Sequence, residues 1–298
     1  MVDGASDVVA PRVGHGSGRR RFLGALALAA LGTGAVGGAM VEDVLPGGVR
    51  VRRALGLTGD DGTVPDVRPG PVRTETRHSA ARGRDVRLVV IDPPGGGGSA
   101  LPVCLALHGR GSSAEGFLGL GLPQFLAAAV AAGVPPFRVV AVDGGDATYW
   151  HPRGGDDPMR LLTTELPGWI AEFGLPAPSR ALGISMGGSG ALQYARARGG
   201  LAATALLSPA LFRSWPDART VDAYQDEADW RAHEPLQHLD ALPGAGRTAV
   251  WCGTEDPFCP AARELAGHVA ETHFPRGEHT DGFWRRVLPA ALELVGRA

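Results

Sequence analysis

The sequence predicts an α/β fold, a mostly parallel sheet of about eight strands with helices on both faces. Three observations carry that prediction. Short apolar runs recur through residues 72–298 and alternate with stretches of helical length and periodicity. One run, Leu101-Pro102-Val103-Cys104-Leu105-Ala106-Leu107, has no polar face, as a central parallel strand covered on both sides requires. Finally, Gly183-Ile184-Ser185-Met186-Gly187 joins the run Arg180-Ala181-Leu182 to a small-residue helical stretch, which reads as a tight strand-to-helix turn.

The elements follow in order. Residues 1–43 stand apart from the rest. Ser17-Gly18-Arg19-Arg20-Arg21-Phe22-Leu23 resembles a twin-arginine export signal, and no charge occurs from Phe22 to Val41. Glu42 and Asp43 then close the apolar stretch, so an N-terminus-inside orientation is expected. The stretch is long enough to span a bilayer as an uncleaved anchor, which would put the N-terminus in contact with a membrane. Its glycine content and the small residues Gly37-Gly38-Ala39 equally suit a cleaved signal. Residues 44–71 hold few large apolar side chains and read as a linker, with a short helix over 49–57. Two antiparallel strands are expected over 72–78 and 86–92, joined by a polar turn and followed by the flexible Pro93-Pro94-Gly95-Gly96-Gly97-Gly98. Then come strand 101–107, helix 122–132, strand 137–142, helix 159–173, strand 180–184, helix 187–198 and strand 203–208. A charged segment, Pro209 to Leu242, carries Trp215, Tyr224 and Trp230; it reads as a small cap or as a solvated helical excursion. Strand 247–252, a last apolar run over 269–274 and an aromatic-led helix from Phe283 complete the chain, with no internal repeat.

The chemistry is expected at the turn. A serine there is lifted out of the sheet, with the next N–H, that of Met186, and the positive end of a helix facing any oxyanion that forms. Such a nucleophile needs a base, and the base an orienting acid; on this kind of elbow the chain order is serine, acid, histidine. The strand ending Val250-Trp251-Cys252-Gly253 leads into Thr254-Glu255-Asp256-Pro257-Phe258. Asp256 is favoured over Glu255 as the acid because Pro257 fixes a turn directly after it. Of nine histidines, His279 lies in the loop after the last strand, where the base belongs; His273 is its nearest rival. After Leu107, His108-Gly109-Arg110-Gly111 is placed to supply the second oxyanion N–H, from Arg110 or alternatively Gly111. The loop Asp143 to Arg153, with Tyr149, Trp150 and His151, reads either as a pocket lining or as a structural aspartate with a packed tryptophan. Phe117, Tyr149 and Trp150 are the candidates for contact with an apolar or aromatic acyl group.

Taken together, His108-Gly109, the Asp143-Gly144-Gly145 and Tyr149-Trp150-His151 loop, the Ser185 pentapeptide, Gly253 to Phe258 and His279 resemble the esterase D-type branch of the α/β-hydrolases. That branch includes S-formylglutathione hydrolases, feruloyl-type esterases and mycobacterial mycolyltransferases. The resemblance covers roughly residues 72–298 and implies an α/β-hydrolase fold. It implies Ser185 as nucleophile, Asp256 as acid, His279 as base, and the Arg110 and Met186 N–H groups as oxyanion hole. Two features depart from named members. The cysteine that marks S-formylglutathione hydrolases near the oxyanion loop is missing from His108 to Ser113, and the mycolyltransferases usually use glutamate as the acid.

Composition narrows the functional classes. Net charge is −2, which offers no argument for nucleic acid, and all 29 basic residues are arginine. The substrate expected is a small-molecule or lipid ester. No Cys/His cluster with metal-ligand spacing and no phosphate-binding glycine loop is visible along the sequence, so no metal or cofactor is expected. Cys252 and Cys259 bracket the acid loop and are either a disulfide or free thiols. The leading reading is an exported serine ester hydrolase; the compositional bias suggests a GC-rich genome, and the resemblance is to an exported actinobacterial member of the branch. The alternatives are an acyltransferase that passes the acyl group to a sugar hydroxyl, and a non-catalytic exported protein on the same fold.

Overall fold

The apolar runs become the strands of one sheet. In a computed structural model, residues 58–96 and 101–298 are described, and the expected signal or anchor over 1–43 and the expected helix over 49–57 lie outside them. The strands are β1 (Val72–Ser79), β2 (Arg84–Ile91), β3 (Val103–Leu107), β4 (Arg138–Val142), β5 (Arg180–Ile184), β6 (Ala203–Leu207), β7 (Arg247–Trp251) and β8 (Glu271–His273). Their order across the sheet is β1-β2-β4-β3-β5-β6-β7-β8. β1 and β2 are antiparallel, β2 is antiparallel to β4, and every later pairing is parallel. Thus the leading hairpin lies at one edge, and the strands that read as apolar on both faces occupy the middle.

Burial explains that placement. Every residue of β3, β4, β5 and β6 is buried. Alternate residues face opposite layers: Val103, Leu105 and Leu107 join one core, while Cys104 and Ala106 join the other. The second layer is closed by α1 (Gly116–Leu120), α2 (Leu122–Ala131) and α9 (Asp281–Gly296), through Phe117, Leu126, Leu288 and Leu292. The first is covered by the irregular helix built from α3 (Pro158–Arg160), a single π turn and α4 (Leu166–Ala171), and by α5 (Met186–Arg198).

The segment after β6 is packed. It holds the short α6 (Trp215–Ala218), α7 (Glu227–His233) and a 3₁₀ stretch from Pro235, and it buries Tyr224, Trp230 and Glu234. The short α8 (Cys259–Ala262) follows β7. Cys104, Cys252 and Cys259 are all buried free thiols.

Residues 58–71 also lie against the domain. The Gly62 N–H donates to the Gly282 carbonyl at 2.8 Å, and Arg286 donates to the Asp60 carbonyl at 2.8 Å. This segment therefore braces the first turn of α9, directly after the His279 loop. Among the described residues no helix is long and apolar enough to cross a membrane.

Candidate active site

Five strand ends deliver the site to the carboxyl edge of the sheet: His108 after β3, Asp143 after β4, Ser185 after β5, Asp256 after β7 and His279 after β8. Ser185 sits at φ 55° and ψ −121°, a left-handed conformation that a non-glycine residue adopts only when its surroundings enforce it. The flanking glycines enforce it. A Cβ on Gly183 would lie 2.0 Å from the Gly187 carbonyl oxygen, and one on Gly187 would lie 1.8 Å from that of Leu107. The Ser185 N–H donates to the Leu207 carbonyl at 2.9 Å, which ties the turn to β6.

His279 bridges Ser185 and Asp256. Its Nε2 is 2.9 Å from Ser185 Oγ and its Nδ1 is 2.9 Å from Asp256 Oδ2. An ionised carboxylate only accepts, so Nδ1 carries the proton and Nε2 is left to accept from the serine hydroxyl. The Asp256 side chain is fully buried, and its other oxygen accepts the Phe258 N–H at 2.9 Å. Glu255 points elsewhere: its Oε2 accepts from the Gly277 N–H at 2.7 Å and the Thr254 hydroxyl at 2.8 Å. His273 is exposed, stacked on Trp251.

The loop after β3 is equally defined. Gly109 abuts Ser185, since a Cβ there would stand 3.2 Å from that of the serine. The Gly111 N–H already donates to the Asp146 carbonyl at 3.2 Å, whereas the Arg110 and Met186 N–H groups have no such carbonyl partner among the described residues. His108 holds the loop from behind. Its Nε2 accepts the Gly144 N–H at 2.9 Å, so its Nδ1 carries the proton and faces the Gly109 carbonyl at 2.8 Å. Burial lowers the His108 pKa and keeps the ring neutral in that role.

A cleft of about 330 Å³ opens onto Ser185 and His279. Phe117, Leu120, Tyr149, Phe258 and Trp284 give it apolar walls, with Arg110 and Asp281 at its polar margin. Trp150 does not belong to it, which corrects the sequence expectation. The ring is fully buried, would collide with a Cβ on Gly144 or Gly190, and donates its indole N–H to the His108 carbonyl at 3.2 Å. Tyr149 and Trp150 both have positive φ, 47° and 61°, so successive side chains of this turn diverge, one to the cleft and the next to the core. Asp143 takes the structural reading, accepting N–H bonds from Ala114 at 2.8 Å and Arg87 at 3.0 Å.

Residues 79–293 match the Esterase family. The chain belongs to that family. Its fold recurs in several solved structures. A ferulic acid esterase is 18% identical with a TM-score of 0.66, covering 77% of this chain and 99% of that one. An S-formylglutathione hydrolase from Agrobacterium tumefaciens is 16% identical with a TM-score of 0.61, covering 80% and 100%. A thermostable esterase from Pseudomonas putida is 19% identical with a TM-score of 0.58, covering 93% and 94%. No curated protein matches significantly by sequence. The chain is thus an Esterase-family protein with the α/β-hydrolase fold, and family membership implies small-molecule ester substrates.

The esterase also has cleft residues that sequence reasoning did not assign. Phe258 and Trp284 pack against the His279 ring at 5.2 Å and 5.1 Å between centroids. Each lies within five residues of Asp256 or His279, and that proximity was the available signal. Ile184, next to Ser185, carried the same signal, whereas Leu120 offered none, being indistinguishable from core residues along the chain.

Proposed function

We propose that this esterase cleaves carboxylic esters through an acyl-enzyme on Ser185, with His279 as base and Asp256 as its orienting acid. The supporting observation is the continuous hydrogen-bond path from Ser185 Oγ through His279 to buried Asp256, both steps 2.9 Å. Ser185 Oγ attacks the ester carbonyl while His279 Nε2 takes its proton. Asp256 stabilises the resulting imidazolium. The oxyanion accepts from the Arg110 and Met186 N–H groups at about 3 Å. His279 then returns the proton to the departing alcohol, and a water activated by the same nitrogen releases the acid. The aromatic and aliphatic walls favour an apolar or aromatic acyl group.

Ser185→Ala should remove hydrolysis of p-nitrophenyl esters by a factor on the order of 10⁴ to 10⁶ while the circular dichroism spectrum is unchanged. Turnover near that of the parent enzyme would refute the assignment. A panel of acyl lengths and feruloyl esters, run with and without a sugar acceptor, locates the activity; acceptor-dependent turnover would make it a transferase.

The proposed location is extracytoplasmic, on the strength of Arg19-Arg20 ahead of an uncharged stretch. Replacing both arginines by lysine should block export in fractionated cells, because that recognition depends on guanidinium geometry. Unchanged export would point to an ordinary secretory signal or an anchor.

A further inference from the structure

Behind the cleft wall, three side chains converge that the ester chemistry does not use. His151 follows Tyr149 and Trp150 on the turn after β4. Asp229 and His233 lie four residues apart on α7, hence on one helical face. The Asp229 Oδ1 is 2.8 Å from His233 Nδ1 and 3.8 Å from His151 Nδ1. One donor atom from each residue falls within a sphere where all lie within 4.8 Å of one another. Tetrahedral coordination with bonds of about 2.0–2.1 Å places ligand atoms about 3.3 Å apart, between the two measured separations.

The protonation of His151 sharpens the case. Its Nε2 is 2.9 Å from the Ala223 carbonyl oxygen, so that nitrogen must carry a proton. Its Nδ1 then faces the Pro152 carbonyl at 3.2 Å and Asp229 at 3.8 Å. A neutral imidazole has one N–H, so a lone pair is left among oxygen atoms, which a positive charge at that point would relieve. The His151 side chain is fully buried, so that lone pair is shut in with the Asp229 and Pro152 oxygens.

We propose that His151, Asp229 and His233 bind a single divalent transition-metal ion of the zinc class. Two imidazoles and one carboxylate suit zinc and its neighbours and do not suit the oxygen-seeking magnesium or calcium ions. Solvent enters from the side of His233, whose side chain is 28% exposed, and completes the coordination. The Ala223 carbonyl is the outer partner that fixes the ligating nitrogen of His151. The ion fastens α7 to the turn that carries Tyr149, so the packed segment after β6 and the cleft wall are held by one bond set. The inference is independent of the ester chemistry, since the site shares no residue with Ser185, His279 or Asp256.

The test is isothermal titration of the chelator-stripped full chain with zinc chloride, alongside thermal unfolding and cobalt(II) absorption. One zinc per chain, a raised Tm, no response to magnesium, and cobalt bands lacking thiolate charge transfer are expected. His233→Ala, a half-exposed position, should weaken zinc at least about 10–100-fold, the loss typical of removing even an outer partner of a ligand. Asp229→Asn should do the same, and a Cys252→Ala/Cys259→Ala double variant should bind as the parent does. Absence of stoichiometric binding, binding unchanged in folded His233→Ala, or thiolate bands with cobalt would each overturn the proposal.

Discussion

The elbow at Ser185 and the segment after β6 both sit above the sheet's carboxyl edge, yet they are held in different ways. At the elbow the constraint falls on five consecutive residues, packed between β3 and β6. Two glycines with no room for a Cβ and one residue at φ 55° leave a single way to turn from β5 into α5. Residues 209–246 have no such internal logic. Their shape depends on partners far along the chain: Tyr224 stacks on His151 at 4.9 Å, Arg110 donates to the Val221 carbonyl at 3.1 Å, and Arg153 pairs with Asp222 at 2.8 Å. A locally determined turn stores strain and aims one atom. A tertiary-determined segment can change without moving that atom, and variants in the two regions should therefore fail differently.

The largest expected effect belongs to the group that completes the elbow's chemistry. Asp256→Asn keeps the shape but offers an amide to His279 Nδ1, which favours the wrong tautomer; kcat should fall about 10⁴-fold. Steady-state kinetics with unchanged thermal stability is the check, and a loss under tenfold would refute the role of Asp256.

Gly187→Ala comes next. The new methyl would meet the Leu107 carbonyl at 1.8 Å, so β3 and β5 must separate or α5 must shift. Overpacking of this kind costs about 1–3 kcal/mol or more. The displacement, on the order of 1 Å, should lower kcat/KM about 100-fold. Denaturant unfolding and kinetics measure the two losses together. Comparable truncations in α7 should lower stability and spare kcat.

These differences follow what was legible in the sequence. The strands were, because each is a short apolar run and the buried ones lack a polar face. So was the convergence of Ser185, Asp256 and His279, because chain order and strand ends restrict where they lie. Trp150 was assigned to the cleft on composition; its true place depends on Gly144 and Gly190, residues that make room for its ring from two separate segments. Residues 58–71 read as a linker because they contribute backbone hydrogen bonds to α9 and almost no apolar side chains. The cluster of His151, Asp229 and His233 spans more than seventy residues of chain, so no spacing motif announces it. The burial of Glu234 was hidden for the same reason: a carboxylate among charged neighbours reads as solvated.

Glu234 gives the third prediction. Burial pushes its pKa up to about 8, against the Leu236 and Phe212 N–H groups and the Tyr224 hydroxyl that favour the charged form. The native state thus holds a proton that the unfolded chain releases near pH 4.5. The associated stability is fully present below pH 4.5 and is lost as pH rises toward 8, at about 1.4 kcal/mol per unit of the gap. Glu234→Gln removes the titration, so its Tm relative to the parent should improve between pH 5 and pH 8.5. A parallel pH profile for both proteins would mean that Glu234 is ionised in the fold.

The smallest effect is expected at Glu255, and it tests the elbow's machinery most finely. Glu255 and Gly277 exchange two bonds: the carboxylate accepts the Gly277 N–H at 2.7 Å, and the Glu255 N–H donates to the Gly277 carbonyl at 3.0 Å. This pins the start of the loop that carries His279 without touching the imidazole. In Glu255→Gln the amide oxygen still accepts from Gly277, so only the charge of that bond is lost, a difference of about 1 kcal/mol. The expected loss in kcat is under tenfold, with KM and the acidic limb of the pH profile unchanged, because no group on the proton path has been altered. Glu255→Ala removes the acceptor and should cost more than Gln does, through a looser His279 loop. If Glu255→Gln instead matched or exceeded Asp256→Asn, the acid would be Glu255, and the hydrogen bond from His279 to Asp256 would not be the one that catalysis uses.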